Sequence, residues 1–418
     1  MAAYNHRAAG RKPPHPGRSD RESNPVSGGI RDDESLPLGQ GLANREARDG
    51  LTMYNSRAAP AKRWYAPVQD DKPEWPPISG ELALFADGRL AELLGIAPSA
   101  AVESALRSAL ADPVAAVIAN PGKRIRAQLV TMTYRLFHDD RAASFAAAKQ
   151  CRECADVVEF IHAGSLIVDD IEDGSQLRRG RPAVHVEYGL PLALNAGNWL
   201  YFWPLEVLKD SGLSRDQLIS VYEHCHRTLL RAHFGQAIDL GAKVNHLPQS
   251  SVAEVCFASI KLKTGALTGF AALLGGAVAG LSETLLTVLD DFGVDLGIAL
   301  QMFDDLGNVI GKCDPLKRYD DLLLSRPSWV WACAAQLSDA YAYEAFLAAV
   351  VRLPDATLLE KWLDSHDLIA VARKSAREHL ELAFARLERR LAAHDIAWSA
   401  RAFNELRQLG EEIAVAYG

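Results

Sequence analysis

The sequence lacks the signatures of several protein classes. Its six cysteines are scattered, and the Cys-x-x-Cys pair, Cys151 and Cys154, has neither a second pair nor a neighbouring histidine. We therefore interpret both as thiols of a helix surface or core rather than as zinc ligands. Nothing suggests a disulfide framework, and the N-terminus has no apolar run typical of a secretory signal. We expect a cytoplasmic protein in a reducing compartment.

A basic surface for nucleic acid is also missing. The formal net charge is −8, and because residues 1–63 carry +4, the remainder carries −12. This acidic body argues against nucleic-acid binding, so any anion would have to be bound by local basic clusters or by metal ions. The longest uncharged run, Thr264 to Ser282, is rich in Gly, Ala, Ser and Thr. We interpret it as a buried bundle helix and expect no transmembrane segment.

Alternating strand patterns bounded by turns are absent as well. From about Glu81 onward, apolar residues recur at three- and four-residue spacing, which predicts helices almost throughout. Residues 1–78 are rich in Pro, Gly, Ser and Arg without periodicity, which predicts a disordered extension. Within it, YNHRAAGRK nearly recurs as YNSRAAPAK, either as a duplicated docking motif or through drift in an unconstrained tail. The sequence thus predicts one all-α domain over residues 79–418.

What the sequence does contain is two acidic clusters of identical spacing. Each ends an apolar helical pattern, with side chains at positions i, i+1 and i+4, so that the first and last share a helix face. The members are Asp169, Asp170 and Asp173 in the first cluster and Asp304, Asp305 and Asn308 in the second. A single cluster is usually a solvated helix end, but two copies at the negative ends of helix dipoles favour a cation site. Oxygen ligands of this kind suit Mg²⁺ bound together with a diphosphate, which would be activated as a leaving group.

Pairs of basic or polar residues accompany the acidic clusters. Lys123 and Arg126 follow a Pro-Gly turn, Arg178 and Arg179 follow the first cluster, and Lys263 and Thr264 open the small-residue helix. Arginine forks and lysine ammonium groups are the usual partners of phosphate. Each pair alone would be ordinary surface charge, but together with the acidic clusters they indicate a site for phosphorylated substrates.

These motifs resemble those of the trans-isoprenyl diphosphate synthases, the polyprenyl synthetase family, from roughly Pro121 to Trp329. The densest match is HAGSLIVDDIEDGSQLRRGRPAVHVEYGLPLALNAGN, which contains the family's aspartate-rich first motif and the RRG that follows it. The chain is most similar to geranylgeranyl diphosphate synthases of the eukaryotic type, which also often carry Asn at the last position of the second motif. The resemblance implies a helical bundle around a deep central cavity, usually in a homodimer.

The resemblance also implies a role for each site residue. Three Mg²⁺ ions would be bound from two walls, by Asp169, Asp170 and Asp173 on one and by Asp304 and Asp305, with Asn308 nearby, on the other. An allylic diphosphate would be bound by Arg178, Lys263, Thr264 and Gln236, with Gln301 supporting the second motif. Isopentenyl diphosphate would be bound by Lys123, Arg126, His162 and Arg179.

The implied reaction is a condensation of these two substrates. Departure of the allylic diphosphate would leave a carbocation, which the double bond of isopentenyl diphosphate attacks. The proton would be lost to the departing diphosphate, because no dedicated side-chain base is apparent. Gly164 and Ser165, which precede Asp169 by five and four residues, are small. We expect them to leave room for a geranylgeranyl chain.

Departures from the family pattern support a rival interpretation. Arg326 stands where a lysine is common, and Asn308 reduces the negative charge of the second cluster. Four tryptophans also lie near the predicted site: Trp199, Trp203, Trp329 and Trp331. Aromatic faces stabilise cations, so these side chains could line the pocket of a terpene synthase that cyclises a prenyl diphosphate. Core packing is the simpler interpretation.

Two observations oppose the cyclase interpretation. A cyclase needs no isopentenyl diphosphate, yet the residues matching that site are all present. Its second metal motif also typically carries Glu eight residues after its first member, where this chain has Lys312. A third class, a non-catalytic subunit that regulates another synthase, would be expected to lose metal ligands, and both clusters are substantially intact.

Overall fold

The computed structural model describes residues 88–138, 145–312 and 317–417. The predicted disordered extension, its near-repeat and the start of the helical domain at residue 79 lie outside these ranges and stay predictions. Within them the chain forms α-helices and one short hairpin, which confirms the all-α prediction.

In chain order the helices are α1 (Arg89–Leu94), α2 (Ala100–Leu106), α3 (Asp112–Ile118), α4 (Ile125–Arg135), α5 (Phe145–Glu172), α6 (Val184–Glu187), α7 (Leu190–Lys209), α8 (Arg215–Gly241), α9 (Gln249–Ile260), α10 (Ala266–Val278), α11 (Glu283–Ile310), α12 (Asp320–Leu323), α13 (Trp329–Leu337), α14 (Ala340–Val350), α15 (Thr357–Ser365), α16 (Leu368–Ala393) and α17 (Ala400–Tyr417). A π-helical turn, Arg107–Ala111, joins α2 to α3, and a second one, Lys261–Gly265, joins α9 to α10. A 3₁₀ turn, Val244–His246, follows α8.

The centre of the bundle is α10, where every residue from Ala266 to Ala277 is buried. It packs against α4, α5, α8 and α11. The small residues permit this contact, because a β-carbon at Gly275 would lie 2.2 Å from the carbonyl oxygen of Val130. The stretch Gln249–Val278 is long and apolar enough to cross a membrane by length and composition, and 67% of its most apolar window is buried inside the bundle. Its position is that of the predicted core helix.

Two helices of equal length carry the acidic clusters. Both α5 and α11 have 28 residues, and both pack against α10. The α11 helix ends where Gly311 adopts a φ of 74°, a left-handed conformation that glycine takes without steric cost. The ends of these two helices therefore project carboxylates from two elements that both pack against α10.

A short hairpin follows α5 and departs from the helical pattern. Strand β1 (Leu177–Arg178) pairs in antiparallel fashion with β2 (Arg181–Pro182). Arg179 and Gly180 form the two-residue turn, with φ of 52° and 77°. Positive φ at both positions is characteristic of a type I′ turn, which favours glycine. Strands of two residues leave no alternating pattern, so the sequence analysis did not predict them.

Candidate active site

The first acidic cluster lies at the C-terminal end of α5, and each of its carboxylates contacts a cationic side chain. The pairs are Asp169 with Lys263 (3.1 Å), Asp170 with Arg178 (3.0 Å) and Asp173 with Arg326. The Gln236 amide also donates to Asp169, at 3.0 Å. Burial would raise the pKa of Asp169, but Lys263 and the Gln236 amide lower it below its usual value. The charge-assisted bonds thus offset burial at Asp169, whereas burial and repulsion from Asp169 raise the pKa of Asp173 above its usual value despite its contact with Arg326.

Two of these cations share a carboxylate that the sequence analysis missed. Asp239 in α8 is 8% exposed and accepts hydrogen bonds from Lys263 Nζ at 2.9 Å and Arg326 Nη1 at 2.8 Å. The π-helical turn bearing Lys263 packs closely on α8, since a β-carbon at Gly235 would lie 2.3 Å from the backbone nitrogen of Lys263. Burial would lower the pKa of Lys263, but Asp169 and Asp239 raise it above its usual value. The ammonium group therefore remains charged between two carboxylates.

The second cluster, at the C-terminal end of α11, has different neighbours. Asp305 is 5% exposed and accepts from Gln301 Nε2 at 2.8 Å and from the Trp329 backbone N–H at 2.6 Å. The Thr264 hydroxyl donates to Gln301 Oε1 at 2.7 Å, which turns the amide nitrogen toward the cluster. Asp304 is exposed, and Gln301 Nε2 lies 3.5 Å from its Oδ2. Gln301 and Thr264 therefore orient this cluster.

Negative charge accumulates behind the second cluster. Burial raises the pKa of Asp305 well above its usual range, and repulsion from Asp321 and Asp304 adds to the effect. Burial, followed by repulsion from Asp304 and Asp239, raises the pKa of Asp321 in α12 to about 7. Asp321 is a second carboxylate that the sequence analysis missed, because no motif spacing relates it to Asp304. A divalent cation at this wall would favour the ionised forms of these carboxyl groups.

The donor atoms of both clusters fit Mg²⁺. Among the residues that the structure describes, no three His, Cys, Asp or Glu side chains converge as a preformed metal cage. The candidate ligands are nevertheless oxygen atoms, from the carboxylates of the five aspartates and the amide of Asn308, and Mg²⁺ commonly takes one or two carboxylates together with water and substrate phosphates. Burial and, to a lesser extent, repulsion from neighbouring carboxylates raise the pKa values of Asp305 and Asp321, and a bound cation would favour the ionised forms of both.

A cavity beside α3, α4 and α5 brings together the residues predicted to bind the second substrate. Its polar lining consists of Lys123, Arg124, Arg126, Glu159, His162 and Arg179. Burial, together with Arg126 and Arg179, lowers the pKa of His162 well below its usual value. The imidazole is therefore neutral and able to donate one hydrogen bond, while the guanidinium and ammonium groups supply the positive charge.

Arg124 and Glu159 are the members of this cavity that sequence reasoning missed. Arg124 precedes α4 with a φ of 49° and provides no side-chain cap for that helix. The Glu159 carboxylate, on α5, lies 3.9 Å from Arg124 Nε. Burial raises the pKa of this carboxylate, but Arg124, Arg126 and the Ala127 backbone at the start of α4 oppose that rise. A carboxylate is favourable at a helix N-terminus. Glu159 therefore docks the start of α4, which carries Arg126, onto α5.

The hairpin delivers one guanidinium group to each site. Arg178 Nε contacts Asp170 in the first cluster, whereas Arg179 lines the basic cavity. Arg179 Nη1 donates to the Asn120 carbonyl oxygen at 2.6 Å, and Asn120 Nδ2 donates to the Arg178 carbonyl oxygen at 3.2 Å. These bonds fix the turn, so adjacent arginines face different anion sites.

The tryptophans favour the core-packing interpretation. Trp331 is fully buried and meets Phe346 edge to face, with ring centroids 5.0 Å apart. The Trp329 indole N–H donates to the Ala372 carbonyl oxygen at 3.1 Å. Trp203 is buried and stacks on Trp199 at 4.9 Å. These contacts belong to helix packing and do not form an aromatic lining for a carbocation.

The expectation for Gly164 needs correction. A β-carbon at this position would lie 2.8 Å from the Gly197 carbonyl oxygen and 2.9 Å from Leu200 Cβ. Gly164 is therefore small because α5 and α7 pack closely, and its missing side chain does not widen the cavity. Ser165 is half-buried, and its hydroxyl donates to the His162 carbonyl oxygen at 2.8 Å.

The fold and site define an all-α protein in which two helix ends, a hairpin and a π-helical turn bring together two acidic clusters and two sets of cationic groups. Residues 107–357 match the model of the polyprenyl synthetase family. The chain therefore belongs to the polyprenyl synthetase family.

Similar proteins of known sequence are named for several prenyl chain lengths. Geranylgeranyl diphosphate synthase of Sulfolobus acidocaldarius is 32% identical over 188 residues, covering 44% of this chain and 54% of the relative. Farnesyl diphosphate synthase of Escherichia coli is 34% identical over 198 residues, covering 46% and 62%, respectively. The chain thus spans about half the length of these curated relatives.

Solved structures show the same fold over most of the chain. A geranylgeranyl pyrophosphate synthase superposes with a TM-score of 0.63 at 21% identity, covering 78% of this chain and 96% of the other. The synthase of Corynebacterium glutamicum complexed with isoprenyl diphosphate and magnesium gives 0.61 at 24% identity, with coverage of 78% and 94%.

Proposed function

We propose that this protein is a prenyltransferase that condenses isopentenyl diphosphate with an allylic diphosphate to a linear prenyl diphosphate. The observation that supports this most strongly is the presence of two differently built anion sites joined by one hairpin. Arg178 belongs to the acidic site and Arg179 to the basic cavity. An enzyme that condenses two phosphorylated substrates needs two such sites in reach of one another.

In this proposal the acidic site binds the allylic diphosphate. Its carboxylates would bind Mg²⁺, three ions by the family resemblance, and the metal would supply charge neutralisation for the departing diphosphate. The candidate ligands are Asp169, Asp170, Asp173, Asp304 and Asp305. Lys263, Arg178 and Arg326 are already charged and oriented there. They would donate hydrogen bonds to the diphosphate oxygens, which stabilises the leaving group as its charge grows.

The basic cavity would bind isopentenyl diphosphate. Lys123, Arg126 and Arg179 supply positive charge, and neutral His162 supplies one further hydrogen bond. Binding both substrates in fixed positions lets the double bond attack the carbocation as diphosphate leaves. The departing diphosphate would accept the proton. In the Corynebacterium glutamicum structure, isoprenyl diphosphate and magnesium are bound to a protein of the same fold, which supports the assignment.

Geranylgeranyl diphosphate is the proposed product. Relatives named for geranylgeranyl, farnesyl and geranylfarnesyl diphosphate match the chain at similar identity. The proposed product length therefore rests on the resemblance of the motifs and not on these identities. The cyclase alternative is less well supported, because the tryptophans pack in the core and the basic cavity is complete.

A homodimer is part of the proposal. Exposed apolar side chains recur at helical spacing on the neighbouring helices α7 and α8: Leu190, Leu194 and Phe202 on the first, and Ile219, Leu230 and Phe234 on the second. Burial of these side chains against a second copy would remove their apolar surface from water. Phe202→Glu should shift the sedimenting species to monomer. Tyr341→Glu, at an aromatic residue that is 87% exposed on α14, is the matched control.

A product assay tests the function. Purified full-length protein with Mg²⁺ receives geranyl, farnesyl or geranylgeranyl diphosphate, each with and without isopentenyl diphosphate. We expect elongated linear diphosphates only when isopentenyl diphosphate is present, with geranylgeranyl diphosphate accumulating. Hydrocarbons formed without it would establish the cyclase instead. Arg126→Ala should raise the KM for isopentenyl diphosphate and leave that for the allylic substrate unchanged.

A further inference from the structure

Asn308 ends the second cluster, and its amide nitrogen faces the segment that follows α11. Its Nδ2 donates to the backbone carbonyl oxygen of Lys317 at 2.7 Å. A carbonyl oxygen only accepts hydrogen bonds, so the nitrogen of the amide must be the atom that faces it. The Asn308 Oδ1 atom is buried, and no donor among the described residues reaches it. The side chain is thus used by the segment that follows α11.

Residues 317–319, the segment that Asn308 contacts, are tied to the bundle at several points. Arg318 Nε donates to the Val309 carbonyl oxygen at 2.8 Å, and Arg318 Nη2 lies 3.0 Å from Glu360 Oε1. The Tyr319 hydroxyl also bonds Glu360, at 3.0 Å. Asn308 and Val309 therefore anchor this segment to the end of α11, next to the second acidic cluster.

From this anchored position, Lys317 reaches the other wall of the site. Its Nζ donates to Ser175 Oγ at 3.2 Å, although the two residues are 142 positions apart. The backbone N–H of Ser175 in turn donates to the Asp170 carbonyl oxygen at 2.9 Å. The Lys317 ammonium group thus lies beside the end of the first acidic cluster, while its backbone is bound by the last residue of the second.

We propose that Asn308 is a positioning residue that holds Lys317 across the site, and that it is not a metal ligand. This replaces the metal-binding role expected from the motif spacing. An aspartate at this position would place a carboxylate oxygen against the Lys317 carbonyl oxygen, where two acceptors repel. Asparagine at position 308 is therefore required by the contact with Lys317. The kinetic part of the proposal rests on the proposed function, whereas the structural part does not.

The first test uses Asn308→Ala and Asn308→Asp without any substrate. Loss of the hydrogen bond should increase trypsin cleavage after Lys317 and Arg318 about fivefold in both variants, measured by mass spectrometry. The Mn²⁺ dissociation constant of Asn308→Ala, measured by electron paramagnetic resonance, should stay within about twofold of wild type. A metal ligand would behave differently, since its removal typically weakens metal binding at least 10-fold. Unchanged cleavage, or such a loss of Mn²⁺ affinity, would overturn the proposal.

The matched controls are Asn404→Ala and Asn404→Asp, at an exposed asparagine on α17. Neither should alter cleavage after Lys317 or Mn²⁺ binding. These measurements need no turnover, so they remain decisive even if the product assay shows no elongation.

The second test asks whether Asn308 acts through Lys317. Asn308→Ala and Lys317→Ala should each raise the KM for the allylic diphosphate, and the double variant should do no worse than Lys317→Ala alone. Additive effects of the two substitutions would show independent roles and contradict the positioning mechanism.

Discussion

The two acidic clusters share a spacing and a location but differ in electrostatics. Each ends a helix of 28 residues. In the first, the carboxylates contact lysine and arginine, and the pKa of Asp169 is below its usual value despite burial. In the second, the only hydrogen bonds that Asp305 accepts within the described residues come from the Gln301 amide and the Trp329 backbone N–H. Burial raises the pKa of Asp305 well above its usual range. Spacing determines which face the carboxylates occupy, whereas their neighbours determine their charge.

This difference indicates that the two walls of the site, which carry the first and the second cluster, have different roles in binding cations. The first wall carries its own cations, and these would be shared with a bound diphosphate. The second wall has an excess of negative charge, with Asp321 behind Asp304 and Asp305. It therefore depends more strongly on an added cation to ionise fully.

The largest expected effect comes from removing one carboxylate of each cluster. Asp169→Ala and Asp304→Ala should each lower kcat/KM on the order of 10³-fold, because each removes a candidate metal ligand. Their stabilities without Mg²⁺ should diverge. Asp169→Ala removes a partner of Lys263 and should lower the Tm more than Asp304→Ala, which also relieves repulsion with Asp321. Near-normal turnover in either variant would refute the two-cluster site.

The next effect concerns the carboxylate that orients the cations of the first wall. Asp239→Asn preserves shape but removes the charge shared by Lys263 and Arg326. We expect kcat/KM to fall roughly 10- to 100-fold, the usual range for a residue that orients the binding groups. Steady-state kinetics with the allylic substrate measure the loss. Asp216→Asn, on an exposed position of the same helix, is the control and should have no effect.

The second wall should make stability depend on pH. The pKa of Asp321 is about 7 in the folded protein, against 3.8 without the fold. A raised folded-state pKa means that the native state binds more protons between these values, so the contribution of Asp321 to stability is fully present below pH 4 and is lost as pH rises through about 7. In EDTA, the Tm of wild type should therefore fall from pH 5 to pH 8. Asp321→Asn should flatten this fall, and so should saturating Mg²⁺. A Tm that rises over this range would contradict the assignment.

The smallest effect sharpens the definition of the first cluster. Glu172 lies between Asp170 and Asp173 in the sequence. Glu172 and Asp173 are both exposed, but Glu172 accepts a hydrogen bond from the neutral Gln236 amide at 2.6 Å, whereas Asp173 contacts the Arg326 guanidinium. An exposed carboxylate bonded to a neutral amide contributes little, so Glu172→Gln should change kcat/KM by less than about threefold. Asp173→Asn in the same assay should lower kcat/KM far more. Equal losses in the two variants would mean that Asp173 does not belong to the first cluster or that Glu172 does.

Much of the site could be predicted because its motifs are local. The helix ends carrying Asp169 and Asp304 follow from periodicity. The basic pairs were recognised by their positions after a Pro-Gly turn, after the first cluster and at the start of the small-residue helix. Asp239, Asp321 and Glu159 were missed, although Asp239 lies only three residues after Gln236. Each of the three acts on a partner from another element, and no spacing within one helix signals such a contact.

The sequence by itself determined the all-helical class, the family and which faces of α5 and α11 carry carboxylates, because helical periodicity is a property of neighbouring residues. Only the tertiary structure decided the charge of those carboxylates and the use of the side chains around them. Lys263 reaches Asp169 across 94 positions, and Arg326 reaches Asp173 across 153. Burial and Coulomb interactions depend on distance in space, so protonation and hydrogen bonding in this site are settled by contacts that sequence order does not encode.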